Sequence, residues 1–490
     1  MNFIPEKAEP NGNYLCTWAL QSTNARKLGI KGRCGSSERD ALNTSLLFNS
    51  EEYYHIYPDE YRGGLYFLID DGWDVPYGTT NSGDDLQRFG TLEPDPVKFK
   101  ELGNTAEERL KEMSRRVKAL GYAGLGLWVS PQKPFVDKSE QFDMTSARKY
   151  WEEKAKESEA AGITYWKVDW GKHGGDMPYR VMMTECVHKF APNLRIEHAV
   201  GGCPYSVIKA GDPIVVNMRK ILPYSDYFRT YDVAKPFDIS ETLCRLNWLL
   251  SENDDTMQDG SVGKVNVETC AYIAAALGFN LGIMRHNRET EAALRWQRIA
   301  PPFSVADGKY THSEEIMTDN LYFEHSPVFW MPSAANKTAI MSVPAVMARN
   351  TALPRVTSKS GEKPFVIASS NPETGAYSIA AIRRNIDPNP MIAVPADVTA
   401  YPESIDASIG IFGIFDTLTL SFKQEIPKGA KVYAQFMLAN EAADITERVK
   451  ISGNAITLDG KDIRHFGKDK LVCEGNNGED MDPSLIIKII

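Results

Sequence analysis

Seven cysteines are spread over 490 residues, at positions 16, 34, 186, 203, 244, 270 and 473. None lies in a Cys-x-x-Cys pair and the number is odd, which counts against a disulfide framework as the organising device, and reduced thiols are expected. No apolar run reaches the roughly 18 residues that a membrane-spanning helix needs. Positive charge is not in excess: 55 Lys and Arg stand against 65 Asp and Glu, a net charge of −10. That balance argues against nucleic acid or an anionic membrane as the partner and favours a neutral ligand. No glycine-rich phosphate loop follows an early strand, which counts against a doubly wound nucleotide-binding sheet. No His-x-His follows the first strand, so a metal site built from His173, His198, His286 and Glu197 is not expected. No cofactor is expected either. The segment Met1–Pro10 has no apolar core of a signal peptide. A cytoplasmic location is the expectation, or export if Met1 is an added start before a mature chain. Internal repeats and low-complexity tracts are also missing.

What is present alternates. The length exceeds one ordinary core. Up to about residue 305, strand-like and helix-like segments follow one another. Tyr14–Trp18 and Leu65–Ile69 read as the first two strands. Asn104–Leu120 is an amphipathic helix with Leu110, Met113, Val117 and Leu120 at spacings of three and four. Gly124–Val129 is a third strand, Ser146–Ala161 a helix closed by Gly162, and Ile163–Trp166 leads a fourth strand onto Asp169. Pro178–Phe190 is helical, Leu194–Glu197 is a fifth strand and Tyr227–Thr230 a sixth. The seventh falls near Asp254–Met257, the helix Val267–Leu277 follows it, and Phe279–Met284 is the eighth strand. The helix Glu289–Arg298 stops before Pro301-Pro302. Eight such steps predict an α/β chain: a (β/α)8 TIM barrel over residues 1–308.

Beyond about residue 310 the helical periodicity disappears. Short alternating segments such as Phe365–Ala368, Tyr377–Ile382 and Thr417–Phe422 are separated by Asn-Pro, Pro-Lys-Gly and Ser-Gly-Asn turns. Residues 309–490 are therefore expected to form a C-terminal antiparallel β-sandwich.

Three strand-like runs stop on acidic groups: Leu65–Ile69 before Asp70-Asp71-Gly72-Trp73, Ile163–Trp166 before Lys167-Val168-Asp169-Trp170, and Ser225–Phe228 before Arg229-Thr230-Tyr231-Asp232. In a parallel barrel such residues point into the active site. Carboxylates beside Trp and Tyr suit a sugar, whose hydroxyls donate to the acids and whose C–H faces stack on rings. Glycoside hydrolysis needs two carboxyl groups, a nucleophile and an acid/base. Lys167 and Asp169 share a strand face, so the ammonium supports an ionised Asp169 as nucleophile. Asp232 is the acid/base candidate and Asp226 its reserve. Asp70 and Asp71 are expected to fork across two vicinal hydroxyls. Arg229 organises the site or holds a hydroxyl. Trp18 and Trp73 are candidate walls for the sugar, whereas Trp128 and Trp166 are expected to pack. His198 is expected beside Glu197, and Cys203 as a small liner of the pocket.

Asp70-Asp71-Gly72-Trp73 resembles the Asp-Asp-(Gly/Cys)-Trp motif of the α-galactosidase clan of glycoside hydrolases. Lys167-Val168-Asp169 resembles the clan's Lys-x-Asp nucleophile motif on the fourth strand, and Trp18 the Trp that follows its first strand. The likeness is nearest to family 27, which holds α-galactosidases and α-N-acetylgalactosaminidases, and extends to family 36. It implies a barrel followed by a β-sandwich. It implies an exo-acting retaining α-glycosidase in which Asp70 and Asp71 hold the glycone, Lys167 and Arg229 assist, Asp169 attacks and Asp232 is the acid/base. It places Glu197 and Cys203 near the sugar's 2-substituent. The chain departs from the clan in two places. The spacing Arg229-x-x-Asp232 is one residue shorter than the clan's Arg-x-x-x-Asp, and Cys16-Thr17-Trp18-Ala19 stands where the clan has Gly-Trp-Asn-Ser-Trp. The glycone thus stays open between galactose, N-acetylgalactosamine and L-arabinopyranose, and a catalytically silent carbohydrate-binding homologue is the alternative. The expected partner is an oligosaccharide or glycoside.

Overall fold

The computed structural model describes residues 1–32, 35–49, 57–135, 143–199, 218–229, 239–251, 257–268, 270–322, 338–386, 389–467 and 481–490. Eight parallel strands close into a barrel in sequence order. They are β1 (Tyr14–Cys16), β2 (Tyr66–Ile69), β3 (Gly124–Val129), β4 (Ile163–Val168), β5 (Arg195–Ala199), β6 (Tyr227–Arg229), β7 (Lys264–Glu268) and β8 (Asn280–Ile283). Closure runs from Tyr14 to Gly282 and from Leu15 to Ile283.

Local chemistry accounts for the helices between them. Thr105 caps the helix Ala106–Ala119 in a reciprocal box with Glu108. Asp143 caps Met144–Ala161, and Gly162 ends it in the left-handed region at φ 74°. Asp176 caps Met177–Phe190, with Pro178 in its first turn. Outward strand residues such as Phe67, Leu125, Trp166, Val265 and Val267 pack under these helices in one continuous core.

Two strand expectations need correction. β1 ends at Cys16, and Trp18 opens the helix Trp18–Lys27. The seventh strand is Lys264–Glu268, not a segment near Asp254–Met257, and the following helix begins at Ala271 instead of Val267. Lys264-Val265-Asn266-Val267-Glu268 turns Asn266 and Glu268 into the barrel and leaves only Val265 and Val267 apolar, a weak strand signal.

After the helix Arg288–Trp296, Tyr310–His312 joins an eight-stranded sheet, which faces a five-stranded one. Val366, Ile379 and Ile411 of the first sheet and Val398, Leu418 and Ile456 of the second share a core, which makes a sandwich. Its sheets are mixed, not purely antiparallel: Val346–Arg349 runs parallel to Phe365–Ser370, and Tyr377–Ile382 parallel to Ile409–Gly413. Phe365, Ile367, Ala380 and Phe412 on the outer face of the larger sheet belong to the barrel's core. Among the described residues no helix is long and apolar enough to cross a membrane.

Candidate active site

The barrel interior changes character along its axis. Tyr14, Tyr66 and Tyr227 open their strands and gather around Tyr165, with ring centroids 5.3 to 5.6 Å from it. Towards the C-terminal ends of the strands the interior becomes ionic. Asp70, Asp169, Glu197 and Glu268 face Lys167 and Arg229, all of them buried.

Asp70 follows directly on β2. Its Oδ2 accepts from Lys167 Nζ at 2.8 Å and from Cys16 Sγ at 2.9 Å, and its Oδ1 from the Asp71 N–H at 2.8 Å. Burial pushes its pKa up, but the Lys167 ammonium and these donors outweigh that and hold the carboxyl below its ordinary value. Asp71 has a different cation. Arg39 Nε donates to both its oxygens at 3.0 and 2.9 Å, and Arg39 Nη2 lies 2.8 Å from Oδ2. Burial leaves the Asp71 pKa raised in spite of that guanidinium. Gly72 is required here: it sits at φ 115°, and a Cβ would fall 2.7 Å from Arg39 Cα. The two adjacent carboxylates are thus paired with different cations, Asp70 with Lys167 and Asp71 with Arg39.

Asp169 follows on β4, held in line by its N–H to the Val129 carbonyl at 3.0 Å. Trp128 Nε1 donates to Oδ2 at 3.0 Å, and Arg229 Nη2 lies 3.1 Å from Oδ1. The cation beside Asp169 is thus Arg229, and Lys167 serves Asp70 instead. Trp170, half-buried, lines the same corner, with Arg39 5.5 Å above its ring and Trp128 5.4 Å away.

Arg229 also reaches Glu197 Oε1 at 3.4 Å through Nε and Glu268 Oε1 at 3.3 Å through Nη1. Glu197 has no exposed surface; Tyr165 Oη at 2.7 Å and Asn266 Nδ2 at 3.0 Å donate to its Oε2. Burial, opposed by Arg229 and Lys167, pushes its pKa up to about 7. Tyr14 Oη stands 3.3 Å from Glu197 and 3.2 Å from Glu268, reaching both because β8 presents Gly282 at this level. Both its oxygens face protein donors.

Other expected residues are placed elsewhere. Trp73 is wholly buried in the core with Nε1 bound to the Trp128 carbonyl at 2.9 Å, so it is not a wall of the site. Trp18 is half-buried against the cluster of Cys16 and Met284. His198 points away from Glu197, because neighbours on a strand face opposite sides; it meets Thr184 Oγ1 at 2.8 Å and Arg180 at 3.3 Å. Asp226 precedes β6 and binds His188 Nε2 at 3.1 Å and the Ile196 N–H at 2.8 Å, away from the other acids. Asp232 and Cys203 lie outside the described residues. The residues missed from sequence are Arg39, Trp170, Asn266 and Glu268. Among the described residues no group of three or more His, Cys, Asp or Glu is arranged to hold a metal ion.

No family model matches the chain, and no curated protein matches it in sequence. Solved structures do show similarity to it. A family 27 β-L-arabinopyranosidase from Geobacillus stearothermophilus, in complex with arabinose, is 8% identical over 99% of this chain and 97% of its own, with a TM-score of 0.41. An α-amylase from Anoxybacillus is 9% identical over 88% of each chain, TM-score 0.39. A family 36 α-galactosidase from Geobacillus stearothermophilus is 13% identical over 74% of this chain and 49% of its own, TM-score 0.38.

Proposed function

We propose that the barrel is a retaining, exo-acting α-glycosidase that hydrolyses terminal galactose-configured sugars through a covalent glycosyl-enzyme. Asp169 attacks the anomeric carbon while the acid/base protonates the departing oxygen. The same acid/base then takes a proton from water, which releases the sugar with its configuration retained. By resemblance the acid/base is Asp232, three residues after Arg229 in sequence. Asp70 with Lys167 holds the glycone, Arg229 orients Asp169, and Trp170 offers a ring face. Neither metal nor organic cofactor takes part in this chemistry.

The observation that carries the reading is the setting of Asp169. It is a carboxylate 6% exposed, at the C-terminal end of a barrel strand, clamped by a guanidinium and an indole N–H. Such a clamp fixes the attacking group and compensates its charge. The neighbouring Asp70–Lys167 pair offers a sugar both an acceptor and a donor.

The test is hydrolysis of aryl α-D-galactoside, α-N-acetylgalactosaminide, β-L-arabinopyranoside and α-glucoside by the wild type and by Asp169→Asn. Turnover of one glycone, lost in the variant, supports the reading and identifies the sugar. Two features favour a second reading, a carbohydrate-binding homologue without turnover: the short Arg229-x-x-Asp232 spacing and the closure of Asp71 by Arg39. Sugar binding in calorimetry with no hydrolysis of any of the four glycosides would establish that instead.

A further inference from the structure

Glu268 is the last residue of β7 and faces inward, on the same side as Asn266, while Val265 and Val267 face the helices. Its two oxygens are treated very differently. Oε1 stands 3.2 Å from Tyr14 Oη, 3.3 Å from Arg229 Nη1 and 3.6 Å from Lys167 Nζ. Oε2 is buried and, among the described residues, has no hydrogen-bond donor. A carboxylate oxygen shut away from water without a donor is disfavoured, and native proteins seldom tolerate it unless a ligand or water completes the site. Asp70 is supplied from within the protein by Lys167, Cys16 and the Asp71 N–H, and Asp71 by Arg39, whereas Asp169 Oδ1 has the Arg229 guanidinium at 3.1 Å but no well-aligned hydrogen bond.

The surroundings select the class of that ligand. A cation would meet the ammonium of Lys167 and the guanidinium of Arg229, both already at Glu268. An anion would meet Asp70, Asp169, Glu197 and Glu268 together. A neutral hydroxyl satisfies the vacant acceptor and adds no charge. We propose that Glu268 is a sugar-binding residue whose Oε2 accepts a hydrogen bond from one hydroxyl of the glycone. This rests on the glycosidase reading and adds to it a specificity residue outside the two sequence motifs.

The experiment is a cycle between protein and substrate. kcat/KM is measured for the aryl glycoside that the wild type turns over and for its monodeoxy analogues, each with one ring or exocyclic hydroxyl removed. The same series is run with Glu268→Ala and with Glu268→Gln, the latter keeping the shape of the side chain should the alanine variant fail to fold. A charge-assisted hydrogen bond predicts that removing one particular hydroxyl costs the wild type on the order of tenfold to a hundredfold. The same removal costs the variants less than about twofold, while every other deoxy position lowers wild type and variant alike. A purely structural role would lower all the substrates together. Equal losses at every position in wild type and variant overturn the proposal and leave the glycosidase reading standing. A wild type that turns over none of the glycosides overturns both.

Discussion

Arg229 Nη2 lies 3.1 Å from Asp169 Oδ1, so the end of β6 is tied to the end of β4 across the intervening β5. The same guanidinium reaches Glu197 and Glu268. One buried cation therefore serves three carboxylates from three strands. Removing a partner from a buried ion cluster leaves uncompensated charge, which typically costs about 3–5 kcal/mol.

Arg229→Ala is accordingly expected to lower unfolding free energy by about that amount, about 3–5 kcal/mol. Arg229→Lys should recover part of the stability but not the geometry, since an ammonium cannot reach three carboxylates with a planar fork. Urea denaturation checks the first statement. The second is checked by kcat/KM of the lysine variant, which should stay well below wild type after stability has largely returned.

Lys167→Met should expose the dependence of Asp70 on its ammonium. In the wild type the Asp70 carboxyl is held below its ordinary value, so its contribution to stability is fully present above the unfolded pKa of about 3.9 and is lost as pH falls through the lower folded value. Thermal melts of Lys167→Met should show the loss already at neutral pH. Wild type and variant should converge only in acid, where Asp70 protonates in both.

Glu197 gives the opposite sign. Burial raises its pKa to about 7, so the folded state holds that proton more tightly than the unfolded chain. The associated stability is complete below the unfolded pKa of about 4.3 and declines as pH rises towards 7. Asp74 and Glu289, also raised to about 7 by burial, add to the slope. Glu197→Gln should flatten part of the wild-type fall in melting temperature across this window. An unchanged slope would mean that Glu197 does not titrate there.

Two tryptophans separate packing from recognition. Trp73 is fully buried, so Trp73→Ala should cost about 3–5 kcal/mol of stability. Trp170 is half-buried beside Asp169 and packs on Phe89 and Trp128, so Trp170→Ala should cost less stability than Trp73→Ala and weaken sugar binding as well. Calorimetric unfolding and sugar titration of both variants test the contrast.

Legibility followed side-chain direction. β2 and β4 were readable because each is an apolar run that stops on a carboxylate, and both acids emerge at the strand ends. β7 was not, because Asn266 and Glu268 point into the barrel and break the apolar run that marks a buried parallel strand. Arg39 was invisible for another reason. It lies on the short helix Ser36–Asp40 between β1 and β2, 32 positions before the Asp71 it pairs with, and nothing local in sequence links the two. Trp73 was misread because a Trp beside an acid motif has no signature that tells an inward ring from a packed one. Lys167 shares a strand face with Asp169, as expected, yet its side chain crosses to β2. Strand periodicity gives the face a residue takes but not its partner.

The most direct test of Asp169 as nucleophile is covalent trapping. The wild type is incubated with a fluorinated galactosyl fluoride that slows release of the glycosyl-enzyme, and the digested protein is mapped by mass spectrometry. A single glycosyl adduct on the peptide carrying Asp169, absent from Asp169→Asn, is the predicted result. Turnover of the reagent with no adduct, or an adduct on a different carboxylate, would contradict the account.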